Sequence, residues 1–379
     1  DTRYYDNHRL EKLFRWLMGI AITPNREHPL IGDTGYRHGV GNHVAYWRIG
    51  RFDEQAAAHF AWYVESAMPR GSFVSYILMT NPLPAAAVPT SQLFTDGGGW
   101  FREETDNVDS LHAVLYNIDG QDEWHTHEEV NHVAASGYGA RLLVNGGRLG
   151  DSFQQAWRGN TVTLNEERHA ERIGNGLIDG LVCDGFDYAR GDDGPALSSA
   201  HLRSLMLIHS REGIPGYIAV FDDIDGETGQ TYRIHWQLAS RSLVTAVSPD
   251  EEYRADINWN PKKNGVDLTV YFATPPHETA TDWMEFGECP DRYTRLQGHY
   301  STDGEGDLHS ATILFPHTDS VTKPHFTRLS PPGATGAELD FGGGTKDTLL
   351  AMTADGVIDL GFAAFAGRGL IHRRNADGA

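Results

Sequence analysis

The densest collection of chemically able side chains is the stretch Trp124-His125-Thr126-His127-Glu128-Glu129-Val130-Asn131-His132. If the stretch is extended, a period of two puts His125, His127, Glu129 and Asn131 on one face. Two imidazoles and a carboxylate within about 14 Å of strand suit a divalent metal or a proton-transfer site. A metal would need a further ligand from a neighbouring strand, which His112 or His169 could supply. The alternative is a polar, solvated strand face, because the chain carries 19 His and some will cluster by chance.

The elements that must position this stretch are mostly strands. Residues 7–20 read as an amphipathic helix, with Leu10, Leu13, Phe14, Leu17 and Met18 on one stripe and Pro24 beyond its end. A second helix is expected over 53–67, where Phe60, Val64 and Ala67 recur at helical spacing. Between them lies a loop rich in Gly, Pro, His and Asn, including His38 and His43. Asn81–Pro89, with three prolines, reads as a stiff linker and a boundary. Beyond it come short β-branched and aromatic runs separated by turn residues: 111–118, 141–144, 161–164, 202–209, 217–221, 232–238, 266–273 and 311–315. Strands without intervening helices predict an antiparallel sandwich and argue against a βαβ fold. Asp222-Asp223-Ile224-Asp225-Gly226 lacks the terminal Glu of a calcium loop and reads as a hairpin turn. Gly342–Gly344 reads as a turn, since no Lys-Ser/Thr follows it as in a phosphate loop.

Composition sets the outer limits. The 379 residues suffice for two or three domains, and 40% hydrophobic with 22% charged residues is globular composition. A net charge of −21 opposes nonspecific binding to nucleic acid or anionic membranes, while a few local Arg and His could still hold an anionic substrate. Of the 31 basic residues only five are Lys. Cys183 and Cys289 allow one disulfide or two buried thiols. No apolar run is long enough to span a membrane as a helix. The chain begins at Asp1, so the lack of a signal peptide says nothing about export.

His125-x-His127-x-Glu129-x-Asn131, followed by Gly137-Tyr138-Gly139 and Leu142-Leu143-Val144-Asn145-Gly146-Gly147, resembles the signature of heparinase II/III-type polysaccharide lyases. Asn160-Thr161-Val162 resembles the family's His-Asn-Thr-Val segment, and Pro29-Leu30-Ile31-Gly32-Asp33 resembles a turn late in its helical toroid. Ser91–Arg102 resembles the strand pair that opens its sandwich, and His201-Leu202-Arg203 with Tyr217–Asp222 continues the likeness. The resemblance covers roughly residues 10–240.

It implies a mainly β protein: the tail of an α/α toroid over 1–68, then an antiparallel β-supersandwich over 69–250 continued by a C-terminal sheet part over 251–379. The implied activity is β-elimination on an acidic, uronate-containing polysaccharide, outside the cytoplasm in the extracellular or periplasmic space. Nucleic acid and membrane are not implied partners. His125 would face substrate as neutraliser or base, and Tyr138, Tyr36 or Tyr46 would be local candidates for the acid. Trp100, Arg102 and Asn131 would be substrate-binding, although a packed strand end also suits Trp100 and Arg102. His127 and Asn145 would stand at two positions of a structural zinc site, and Gly159 at the third. Asn is a poor zinc ligand and Gly none, so tight zinc would require Glu129, His132 or His169 as replacements. Relatives carry a catalytic Tyr and Asn on helices well upstream, whereas only about 120 residues precede the His-x-His pair here. Two rival readings remain: a carbohydrate-binding remnant of such a lyase, or an unrelated metal-dependent enzyme using His125, His127 and Glu129.

Overall fold

A computed structural model describes residues 9–22, 26–34, 53–67, 84–103, 109–120, 126–148, 151–248, 251–259, 265–287, 291–302, 306–353, 357–361 and 364–375. Two helices precede the strands, α1 (Arg9–Gly19) and α2 (Glu54–Ala67), where the periodicity expects them. Asp53 caps α2, its Oδ1 accepting the N–H groups of Gln55 and Ala56 at 2.9 and 3.1 Å. Phe60 and Val64 of the expected stripe are buried, whereas Leu13 of α1 is 48% exposed. No described helix is long and apolar enough to cross a membrane.

A first sheet runs in chain order through β1 (Gln92–Phe94), β2 (Gly98–Arg102), β3 (His112–Tyr116), β4 (His132–Gly137) and β5 (Ala140–Arg141). Then follow β6 (Val162–Leu164), β7 (Leu177–Cys183), β8 (Phe186–Asp192), β9 (Ala200–Ile208), β10 (Tyr217–Asp225) and β11 (Thr231–Leu238). Next come β12 (Thr245–Ser248), β13 (Glu252–Asp256), β14 (Val266–Phe272), β15 (Glu278–Glu285), β16 (Arg292–Ser301) and β17 (Leu308–Thr318). The chain ends on β18 (His325–Leu329), β19 (Ala334–Gly342), β20 (Thr345–Met352), β21 (Ile358–Asp359), β22 (Ala364–Phe365) and β23 (Gly369–Arg374).

The largest sheet has the order β12-β13-β14-β17-β10-β9-β8-β7 and is the middle layer. Leu205, Leu207, Ile218 and Val220 turn one face toward the first sheet and toward a four-stranded sheet, β15-β16-β11-β6. Met206, Ile208, Tyr217 and Phe221 turn the other face onto β18-β19-β20-β23. Burial on both faces explains why β9 and β10 read as continuous apolar runs, while β11, with one core face, alternates. All ladders between the described strands are antiparallel. The expected mainly β, antiparallel layered class is the observed one.

Two local expectations are corrected. The His127–Asn131 segment is not a strand: pairing begins only at His132, after a turn in which the His132 N–H bonds the Glu129 carbonyl at 3.0 Å. Asn131 there has φ 58°, left-handed backbone that Asn tolerates better than most residues. Asp222 is not a turn residue either. β10 runs on to Asp225, and Asp222 is fully buried. Its carboxylate stays in the strand because Arg203 meets it across β9, as described below.

Candidate active site

The turn after Thr126 is pinned from both ends. The Glu128 N–H donates to the Gln154 carbonyl at 2.8 Å, and its side chain takes Arg168 Nε at 2.8 Å. Behind the turn, Arg203 is wholly buried and donates through Nη1 to the carbonyls of Asn131 (3.1 Å) and Asn160 (2.7 Å). Its charge is balanced by Asp222, bound through Nε at 2.6 Å and Nη2 at 3.1 Å, with His201 Nε2 at 2.8 Å from the same carboxylate. Burial alone would raise the Asp222 pKa, but Arg203 and His201 outweigh it and hold the carboxyl at about 2. One fixed ion pair in the middle layer thus holds both segments that frame the site.

Within that frame His127 is 2% exposed and lies between two carboxylates. Its Nε2 is 2.9 Å from Asp33 Oδ1, and its Nδ1 is 4.0 Å from Glu129 Oε1. Asp33 also accepts from Gln154 Nε2 at 3.2 Å and is the more open end of the group, 14% exposed. Glu129 is 1% exposed and is satisfied locally. The Gly32 N–H donates to Oε1, and Asn145 Nδ2 lies 3.3 and 3.5 Å from its two oxygens. Glu129 Oε2 is 3.2 Å from His132 Nδ1, and that nitrogen accepts the Asn160 N–H at 3.0 Å. This bond leaves the ring proton of neutral His132 on Nε2. Burial pushes the His132 pKa down, against the opposing pull of Glu129.

The three positions that the sequence resemblance assigns to a structural zinc site do not fit a metal. Asn145 has spent its amide: Nδ2 donates to the Gly32 carbonyl at 3.1 Å as well as to Glu129, and Oδ1 accepts the Gly147 N–H at 2.9 Å. Gly159 brings no side chain, and its space is filled, since a Cβ there would lie 2.8 Å from Glu129 Cβ and 3.4 Å from His132 Nδ1. Neither proposed extra ligand joins the cluster. His169 donates through Nε2 to the Val162 carbonyl at 2.7 Å, and burial pushes its pKa down to about 4. His112 opens β3 between its neighbours on β2 and β4, with Nε2 2.9 Å from Arg102 Nη1 and Nδ1 3.3 Å from Ser136 Oγ. Among the described residues, no three His, Cys, Asp or Glu side chains are placed to hold an ion.

The other sequence candidates are dispersed. His125, Tyr36, Tyr46, His38 and His43 lie outside the described residues, as does Cys289. Cys183 is a free thiol whose Sγ lies 3.1 Å from the Phe186 carbonyl. Tyr138 sits with Gly139 in a two-residue hairpin turn, both with positive φ (52° and 69°), joining β4 to β5. That is the far end of β4 from His132, roughly 20 Å for six strand residues. There it lines a separate recess with Glu103 and Asp109; burial and those carboxylates push its phenol up to about 12. Trp100 is 2% exposed and packs with Ile20, Ile31, Phe94, Val114 and Ala134. Arg102 is 4% exposed, donates to the Gly19 carbonyl at 3.3 Å and to that of Ala21, and lies 4.9 Å from the Trp62 ring. Both fasten the helices to the first sheet. Asn131 accepts from Asn117 Nδ2 at 2.7 Å, turned away from His127. Sequence reasoning missed Asp33, Gln154 and Arg203 as parts of the site. Asp33 stood only within a turn resemblance, and nothing local marks a partner 94 residues away.

No protein-family model matches the chain, and no curated protein matches its sequence. Solved structures do match in fold. A Heparinase III gene product superposes with TM-score 0.68 at 13% identity, covering 99% of this chain and 53% of its own. Heparan sulfate lyase HepC from Pedobacter heparinus gives 0.63 at 16%, covering 97% and 53%. A further Heparinase III gives 0.68 at 11%, covering 90% and 54%. The chain spans about half the length of these proteins. At such identities the likeness concerns fold, and in fold the chain is heparinase III-like over nearly its whole length.

Proposed function

We propose that this chain belongs to a polysaccharide lyase that cleaves an acidic, uronate-containing polymer by β-elimination, acting in the extracellular or periplasmic space. The observation that supports this most is the heparinase III-like fold over 99% of the chain, with the His125-x-His127 segment leading into the buried Asp33–His127–Glu129 cluster. In this reading His127 anchors and His125 acts. Asp33 and Glu129 fix the His127 ring, and His125, two residues earlier, neutralises the C5 carboxylate or takes the C5 proton. The leaving O4 needs an acid. Tyr138 is at the wrong end of β4, whereas Tyr36 follows Asp33 by three residues, a reach of at most about 11 Å, so we assign the acid to Tyr36 before Tyr46.

The test is the ultraviolet absorbance of the unsaturated uronate product, followed with the purified protein on alginate, heparinoid and glucuronan polymers. A rising signal on at least one polymer is expected. Silence on all three, with the same polymers bound in a retention assay, would replace the lyase by a carbohydrate-binding relative. That second reading draws on the lost ligand positions at Asn145 and Gly159.

A further inference from the structure

The four-stranded sheet β15-β16-β11-β6 has an apolar and a polar face. Tyr232, Ile234, Trp236 and Leu238 of β11 all point into the core. The alternate residues Arg233, His235 and Gln237 lie opposite His299, Gln297 and Arg295 of β16, and Arg233 also opposite Thr163 of β6. A polar outer face is ordinary for an antiparallel sheet. This one is unusual because it is sunk: Thr163 and Gln237 are 0% exposed, His235 1% and Gln297 3%. Trp157, Glu166, Arg233 and Arg295 wall a recess of about 280 Å³ over that floor.

The polar atoms of the recess are not all satisfied. His235 bonds Thr163 Oγ1 through Nε2 at 2.8 Å, but its buried Nδ1 has no partner among the described residues, and neither has Arg233 Nε. Buried polar atoms left unpaired are costly, and each calls for a reason. Arg295 is held rigidly, by Asp282 at 2.9 and 2.6 Å and by the Trp157 carbonyl at 3.2 Å. Arg233 is held differently: among the described residues its ion-pair partner is Glu166, whose side chain is 60% exposed. Glu166 sits in a turn where it and Asn165 both have positive φ, 64° and 49°, and its side chain lines the recess against Arg233.

We propose that this recess binds one acidic sugar unit, with the Arg233 guanidinium taking its carboxylate or sulfate and Trp157 the ring face, and that Glu166 occupies the anion's place until the sugar arrives. A planar guanidinium binds either oxyanion in the same forked geometry, and an aromatic wall suits a pyranose ring. The choice of a sugar rests on the proposed function; the oxyanion site at Arg233 does not.

The test is titration of the full chain with methyl glucuronide, glucosamine 6-sulfate, methyl glucoside and inorganic sulfate, read by calorimetry, with thermal midpoints for every variant. One or both acidic sugars should bind, the neutral glucoside should not, and the arm that binds identifies the oxyanion. Arg233→Gln should weaken the acidic sugar about tenfold or more, as for a lost charged hydrogen bond. Glu166→Gln should tighten it about two- to fivefold, the worth of a displaced exposed ion pair. Opposite shifts with unchanged midpoints cannot come from misfolding. Equal binding of the glucoside, binding of inorganic sulfate as tightly as the sugars, or affinities that ignore both variants would overturn the proposal. Lyase activity is a separate readout, so either result leaves the other standing.

Discussion

The backbone of Gly159 lies so close to Glu129 that a β-carbon there would stand 2.8 Å from Glu129 Cβ. At the position where the sequence resemblance expects a metal-binding imidazole, this chain has only room for the Glu129 side chain. Gly159→Ala should therefore cost about 1–3 kcal/mol by overpacking. The cost should shrink when Glu129→Gly is added, since that change removes the β-carbon in the way, so a double-mutant cycle by chemical denaturation should show a large coupling. Strictly additive costs would mean that the two residues do not compete for space.

Metal content follows from the same arrangement. With the Asn145 amide committed to Gly32, Gly147 and Glu129, purified protein should carry less than one tightly bound zinc per chain. Elemental analysis after dialysis measures this directly. Stoichiometric zinc surviving dialysis would show that Glu129, His132 or His127 rearrange to bind it.

His125 and His127 should separate into an acting and an anchoring residue. His125→Ala should cut turnover about 10²–10⁴-fold, the range for a positioned acid or base, with little change in thermal midpoint. His127→Ala should first lower stability, by about 1–3 kcal/mol, because Asp33 loses a buried partner. Full activity in His125→Ala would remove that residue from the mechanism.

Mild acid should destabilise the fold. His169 titrates near 4, and burial also lowers His132, His112 and His235. Their folded values lie below the unfolded 6.5, so the unfolded chain binds more protons in between. Stability is then complete above the unfolded value and is lost as pH falls toward 4. His169 alone should remove about 2 kcal/mol between about pH 7 and about pH 5. Asp193, raised by burial to about 6, acts in the opposite sense, gaining its proton in the folded state over the same window. Thermal midpoints across this range should fall for the parent protein, less steeply for His169→Gln and more steeply for Asp193→Asn. A His169→Gln profile parallel to the parent's would show that this ring is not the sensor.

Much of the architecture could be read directly from residue order. The helices at 9–19 and 54–67, the strand-rich remainder, and the core face of β11 at Tyr232, Ile234, Trp236 and Leu238 all follow from periods of 3.6 and two, which are local properties of the backbone. The concentration of His and Glu at 125–132 likewise marks the candidate site by residue type and spacing alone. What residue order left undecided was which of those groups meet. An extended face of His125, His127, Glu129 and Asn131 gives way to a turn because Asn131 is left-handed and Arg203 holds its carbonyl from another sheet. Asp33 reaches His127 across 94 residues, Gly159 fits against Glu129 across a strand connection, and Asp222 stays in β10 because Arg203 neutralises it there. Such pairings depend on sheet register and layer packing, which bring distant residues within hydrogen-bonding range. Buried charges are stable only when that packing provides their partners, and local sequence carries no record of a partner so far along the chain.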